Sequence, residues 1–395
     1  MNNSVVIIDG ARTPFGTFMG SLKGVSATEL GVIAAKEALE RSQVDPEWID
    51  HIVFGNVLQT SGDAIYISRH IGLKVGVPKE RPALTVNRLC GSGLEAILSG
   101  ARMILCGEAD FILAGGAENM TQAPHVIRGM RDGFRLGQGE LEDYLWVALV
   151  DSYNNLGMAL TAENLAEKYK VSREEQDAFA YRSHMRAAKA RQLGRLAQEI
   201  VPVETKGRKG KVTLVEHDEH IRPDTTLEAL AGLKARFKKG GTVTAGNASG
   251  INDGAAAVVI TTEEKAKERG LKPLGRLVSW ATAGVDPDIM GIGPAPATRI
   301  ALKRAGMKLD EIDLIEVNEA FAAQYLAVEK ELGLDREKVN VNGGGVALGH
   351  PLAATGARTT LTVLYELRNQ GKRYGISTMC IGGGQGICAI VECLQ

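Results

Sequence analysis

One order of elements occurs twice in this chain, and it restricts the fold more than any other feature. Residues 28–41 have helical spacing; they are followed by the turn Val44-Asp45-Pro46-Glu47-Trp48-Ile49-Asp50 and the strand Ile52-Val53-Phe54. Residues 297–306 repeat the helix, followed by Leu309-Asp310-Glu311-Ile312-Asp313 and the strand Leu314-Ile315-Glu316-Val317. Val86-Asn87 then leads into a glycine-rich turn and a helix over 93–105. Val339-Asn340-Val341-Asn342-Gly343 leads into a second one near 353–369. The repeat is far too long for a solenoid, so it predicts two β/α halves made by internal duplication. Alternating strands and helices predict a mostly parallel α/β sheet. Smaller expectations are a buried strand over 4–9 ended by Gly10, another strand over 110–114, and Thr28 as the first N-cap.

With 395 residues the chain exceeds one ordinary domain and suggests two or three. A net charge of −1 argues against a polyanion-binding protein. No run approaches the ~18 apolar residues of a membrane span. The N-terminus lacks a basic secretory start and the C-terminus resembles no address tag. The five cysteines are an odd number without metal-type pairing, which suggests free thiols in a reducing, cytoplasmic setting. Residues 121–244 break the β/α order, with a helical stretch over 161–198 and a charged one over 204–224. From Lys206 to Lys239 there are nine Lys/Arg against five Asp/Glu. Such a stretch is either a solvated face or a site for a phosphate-rich ligand.

Three glycine-rich segments each carry one reactive residue: Asn87-Arg88-Leu89-Cys90-Gly91-Ser92-Gly93, Ala347-Leu348-Gly349-His350-Pro351 and Met379-Cys380-Ile381-Gly382-Gly383-Gly384-Gln385-Gly386. Cys90 stands where a strand gives way to a helix, and the unpaired N–H groups and dipole of a helix start favour a thiolate. Held between Gly349 and Pro351, His350 is the candidate base, at a helix entrance. Alternatively, Cys90 is a small buried residue of a tight turn and His350 a structural one. The glycines after Cys380 could form an anion-binding nest. A nucleotide-hydrolysing loop is excluded by the missing Gly-Lys-Ser/Thr ending, and a dinucleotide fingerprint has no room for a further βαβ unit. Asn318 either caps a helix or holds a water by its amide. Together, two thiols and an imidazole suggest acyl transfer between thiols.

Along its whole length the chain resembles the thiolase family. The segments VNRLCGSG, GGAENM, TAEN, SREEQD, GTVTAGNASG, MGIGP, NEAFA, NGGG, ALGHP and CIGGGQG follow one another in the family's order. The resemblance implies a duplicated five-layer α/β/α/β/α fold. Residues 1–120 plus 245–269 would form the N-terminal half, 121–244 a loop domain covering coenzyme A, and 270–395 the C-terminal half. It implies Cys90 as acylated nucleophile and His350 as its base and an oxyanion donor. Cys380 would be the acid/base at the acetyl-CoA α-carbon, and Asn318 would orient a water beside His350. The N–H groups of Cys90 and Gly382 would form a second oxyanion hole. Coenzyme A contacts would fall on Met158, Arg222, Phe237, Ala245, Ser249, Ala320 and Phe321. Coenzyme A and its thioesters are implied as substrates, with no prosthetic group or metal, and a homotetramer as the assembly. Cys380 disfavours a decarboxylating or synthase-type condensing enzyme, and retention of Cys90, His350 and Cys380 argues against a non-catalytic lipid carrier. Ala353 replaces a frequent glycine, Gly345 a frequent alanine, and Asp63-Ala64-Ile65-Tyr66 and Met158-Ala159 follow the mitochondrial-type 3-ketoacyl-CoA pattern.

Overall fold

The computed structural model describes residues 4–206 and 210–395. The part of the basic stretch at 207–209 lies outside the described residues. Nine strands make the main sheet: β1 (Val5–Arg12), β2 (His51–Gly55), β3 (Ala83–Val86), β4 (Ile112–Asn119), β5 (Asn252–Thr262), β6 (Gly275–Gly284), β7 (Leu314–Val317), β8 (Tyr374–Ile381) and β9 (Gln385–Cys393). Their order is β7-β8-β9-β6-β1-β5-β4-β2-β3, with Gly16–Thr17 added to β5. The two halves meet where β1 pairs with β6 through only Val6↔Arg276 and Ile7↔Gly275. Only β2–β3, β2–β4 and β7–β8 run parallel, so the sheet is mixed rather than mostly parallel. Hairpins and returning strands supply the antiparallel pairs: β8 turns directly into β9, and β1 lies between β5 and β6.

Seven helices matter for the site: α1 (Ala27–Ser42), α2 (Ser92–Leu105), α3 (Met158–Tyr169), α4 (Arg173–Gln192), α5 (Pro294–Ala305), α6 (Ala322–Leu332) and α7 (Leu352–Gln370). The first covers the outer face of the N-terminal strands, and α5 that of the C-terminal strands; α2 and α7 pack together in between, against strands of both halves. This is the five-layer α/β/α/β/α arrangement. Alternating apolar residues of the two inner faces, including Ile112, Val258, Met379 and Val391, close on Leu94, Ile97, Leu361 and Leu364 of the middle helices.

The middle layer explains the unusual composition of α7. Every residue from Leu352 to Leu367 is buried, although four are threonines and one is Arg358. The hydroxyls stay satisfied: Thr355 and Thr360 donate to carbonyls one turn back, at 3.2 and 2.8 Å. Arg358 pairs with Glu316 of β7 at 2.8 Å, and a buried charge needs such a partner.

Local expectations shifted at three places. The cap of α1 is Ser26, in a capping box with Glu29, and Thr28 lies buried inside the helix; the Ser-x-x-Glu pattern starts two residues earlier. Strand β1 runs through Gly10 to Arg12, because β5 pairs with it over that whole length. The stretch 161–198 is two helices, broken where Lys170 turns left-handed and Ser172 caps α4 in a box with Glu175.

Backbones meet closely at the centre. A Cβ on Gly116 of β4 would collide with the carbonyl of Ala353 in α7. Gly116→Ala should therefore destabilise the protein by about 1–3 kcal/mol, the usual cost of overpacking. Scanning calorimetry should show a lower melting temperature than the parent; an unchanged transition would mean that α7 can move aside.

Candidate active site

Of the residues singled out in the three glycine-rich segments, Cys90 and His350 lead into the middle-layer helices α2 and α7, and Cys380 lies near the end of a C-terminal strand. Cys90 precedes α2, in a turn locked by Ser92, whose hydroxyl accepts from Arg88 N at 2.9 Å and donates to Leu89 O at 2.7 Å. Leu89 is held left-handed (φ 46°), with its N–H given to Asn87 Oδ1 at 2.9 Å. Strain of this kind persists only where the surroundings over-determine it. Half-buried, Cys90 packs on an apolar cluster containing Val57, Leu58, Met120, Leu145, Leu352 and Ala353.

Cys380 is buried near the end of β8, among Met290, Ala320, Met158 and Phe321. Gly382 to Gly384 form the three-residue β8–β9 hairpin, in which Gly383 and Gly384 have positive φ. The expected glycine nest is thus a hairpin turn. Gly382 faces Leu89, the residue before Cys90, and the Met158 sulfur.

Next to α7, His350 is fixed at both ends. Its backbone N–H donates to Asn252 Oδ1 at 3.0 Å, and Nδ1 lies 2.7 Å from Thr355 Oγ1. This contact fits a proton on Nδ1 with the Thr355 hydroxyl turned to Pro351 O at 3.2 Å, which leaves Nε2 as the basic nitrogen. Asn318 Nδ2 approaches Nε2 at 3.3 Å. Asn318 caps no helix: the N-cap of α6 is Phe321, and Gln324 Oε1 accepts from Ala320 N at 3.1 Å instead. Gly345 has a reason in this chain, because a Cβ there would fall 2.8 Å from Asn318 Oδ1 and from the Glu319 carbonyl.

The electrostatics differ from the helix-dipole expectation. Burial pushes the Cys90 thiol up to about 11; the N–H groups of Gly382 and of Cys90 itself pull it back, and Glu118 adds to the rise. Burial and the neighbouring Cys90 push Cys380 well above the usual thiol range. Burial lowers His350 to about 3, helped by the charge of Arg358. The free site therefore rests as two thiols and a neutral imidazole, because desolvation outweighs the dipole.

The remaining expected contacts divide in two. Met158, Ala320 and Phe321 pack around Cys380, Met158 also faces Gly382, and Ser249 N donates to Ala320 O at 2.9 Å while Ala248 bridges to Phe321. Arg222, Phe237 and Ala245 are exposed. Among the described residues, no hydrogen bond or apolar cluster joins them to that inner group; Arg222 N donates to His184 Nδ1 at 3.2 Å. Sequence reasoning missed Thr355, Asn252, Met290 and Glu118. Met290 and Glu118 stood inside the quoted segments MGIGP and GGAENM; Thr355 and Asn252 act through contacts that no local pattern marks. No group of three or more His, Cys, Asp or Glu among the described residues is arranged to hold a metal. No helix among them is long and apolar enough to cross a membrane.

Comparison with known proteins agrees with this layout. The N-terminal thiolase domain model matches residues 5–264 and the C-terminal one residues 271–393. Human mitochondrial 3-ketoacyl-CoA thiolase is 53% identical over 389 residues, 98% of either chain. A beta-ketothiolase of Cupriavidus necator is 53% identical over 393 residues, covering 99% of this chain and 100% of its own. The crystal structure of the human mitochondrial enzyme in complex with CoA superposes with a TM-score of 0.97 at 51% identity, over 100% of this chain and 98% of the other. The chain belongs to the thiolase family.

Proposed function

We propose that the protein is an acyltransferase that interconverts a 3-oxoacyl-CoA plus coenzyme A with an acyl-CoA plus acetyl-CoA, through a thioester on Cys90. The observation that carries this reading is that Cys90 packs on the first turn of α7, at Leu352 and Ala353, just after His350 with its buried, hydrogen-bonded imidazole, while Cys380 packs on Met158, whose sulfur lies beside Gly382. The relatives' names, 3-ketoacyl-CoA thiolase and beta-ketothiolase, support the substrate class.

In the cleavage direction His350 Nε2 takes the Cys90 proton as the sulfur attacks the 3-oxo carbonyl. The N–H groups of Cys90 and Gly382 receive the developing oxyanion. The carbon–carbon bond then breaks, and the acetyl-CoA enolate leaves with its oxygen stabilised by His350 and an Asn318-held water. Cys380 protonates the enolate carbon. A coenzyme A thiol then gives its proton to Cys380 and attacks the Cys90 thioester; Cys90 leaves and recovers its proton from His350. Run backwards, the same steps join two acetyl-CoA molecules into acetoacetyl-CoA and coenzyme A.

We assign the segment 121–244 to covering coenzyme A, between the halves 1–120 plus 245–269 and 270–395. Met158, Ser249, Ala320 and Phe321 would hold the pantetheine end near the thiols, and Arg222, Phe237 and Ala245 the nucleotide end. A homotetramer is the assembly we propose, on the family resemblance.

Cys90→Ala should abolish acylation and nearly all turnover. Incubation with acyl-CoA and peptide mass spectrometry should find the acyl group on Cys90; stable acylation of another cysteine in place of Cys90 would defeat the proposal. Thr355→Val leaves Nδ1 of His350 without its partner. Turnover should fall roughly tenfold to a hundredfold, with the Michaelis constant nearly unchanged, as for a lost hydrogen bond to a group that becomes charged. Arg222→Ala should raise the Michaelis constant for coenzyme A esters more than it lowers turnover, with a smaller effect on a short pantetheine thioester. Equal losses on both substrates would place Arg222 in folding or chemistry.

A further inference from the structure

Asn318 has no side-chain anchor apart from the imidazole it serves. It is fully buried; Nδ2 meets His350 Nε2 at 3.3 Å, and Oδ1 has no hydrogen-bond partner among the described residues. Its place is therefore set by the backbone on either side. On the N-terminal side Asn340 brackets Val317, accepting from its N–H at 2.9 Å and donating to its carbonyl at 2.8 Å. Asn318 N itself donates to Thr378 O at 2.9 Å. On the C-terminal side the anchor is Glu319, a buried carboxyl that the mechanism leaves without a role.

Three segments meet on that carboxyl. Oε1 accepts from Asn340 Nδ2 at 2.7 Å. Oε2 accepts from Ser183 Oγ of α4 at 2.7 Å and from Val346 N at 3.1 Å. Ser183 Oγ in turn accepts from Gly344 N at 3.1 Å, which leaves its hydroxyl proton for Glu319. Every one of these partners is a donor, as an ionised carboxylate requires. A Cβ on Gly344 would collide with the carboxyl, and one on Gly345 would fall 2.8 Å from both Asn318 Oδ1 and the Glu319 carbonyl. The turn that leads to His350 thus packs directly on the Asn318–Glu319 pair, and the carboxylate fastens it there.

We propose that Glu319 is a positioning residue for Asn318: its carboxylate locks the Asn318 backbone to the turn before His350 and so sets the contact between the amide and the imidazole. The proposal rests on the acyl-transfer reading of this site. It also separates two steps of that reaction. His350 keeps its own anchors, Asn252 and Thr355, so taking the Cys90 proton does not need Glu319. Forming the carbon–carbon bond does, because there the Asn318-held water stabilises the enolate oxygen.

Glu319→Gln tests this, since an amide keeps the shape but turns N–H donors toward groups that also donate. Two rates are measured with acetyl-CoA by rapid quench of the full-length protein. One is formation of the Cys90 thioester, read by peptide mass spectrometry; the other is release of acetoacetyl-CoA. Thioester formation should stay within about threefold of the parent, while condensation should fall roughly tenfold to a hundredfold. In an Asn318→Ala background the same substitution should add less than about a twofold further loss, because its effect runs through Asn318. Equal losses in the two steps, or losses that multiply in the double variant, would overturn the proposal and leave Glu319 a structural residue. If Glu319→Gln does not fold, Ser183→Ala decides. It removes one donor to Oε2 and should slow condensation selectively by roughly threefold to tenfold, again with little added effect on Asn318→Ala; an unselective loss refutes the proposal. A parent that forms no thioester on Cys90 would sink the proposed function and this proposal with it, whereas an active parent with unselective variants counts against Glu319 alone.

Discussion

Enclosing α7 on all sides is the constraint on which the other features depend. A helix between the two halves of the sheet has no solvent face, so its polar groups need partners inside the protein. Thr355, Thr359 and Thr360 turn back on the helix backbone, Thr362 donates to Glu199, and Arg358 takes Glu316 from the strand below. Space is equally limited, and the Gly116 contact with Ala353 shows how closely the layers approach. The reactive groups gather where this packed helix begins. Its first turn presents Leu352 and Ala353 to the cluster around Cys90, and the preceding residues carry His350. The precision that catalysis demands is therefore supplied by the core itself rather than by a surface loop.

The sequence made the duplicated order and the positions of most elements legible, because strand and helix periodicities are local. It did not reveal which strands pair. The mixed sheet arises because β5 returns beside β1 and β4 after the long segment 121–244, and nothing in the local pattern of residues 252–262 records that return. Thr28 was a plausible cap by residue type, but Ser26 with Glu29 supplied two mutual hydrogen bonds where Thr28 could supply one.

The site divides along the same line. Cys90, His350 and Cys380 were readable because glycines and prolines mark special backbone near them. Thr355, Asn252 and Glu118 were not, since a buried polar partner looks like any other polar residue until the chain is folded. That the helix start needs a base beside it to ionise Cys90 has a physical reason. A helix start offers at most roughly 2 kcal/mol to a charge, less than the cost of removing that charge from water at Cys90.

The pairing of β1 has a consequence for the order of synthesis. Its partners are β5 and β6, and neither exists until residues 252–262 and then 275–284 have been made. A nascent chain that already carries the nucleophile, α2 and β4 still lacks any strand to receive its own first one. That β-branched segment must wait, exposed or shielded by other factors, through the synthesis of the whole inserted segment. The N-terminal half thus cannot close as an independent unit while the ribosome is still translating residues 121–244. Long-range strand pairing of this kind folds slowly and leaves an unpaired apolar edge open in the meantime.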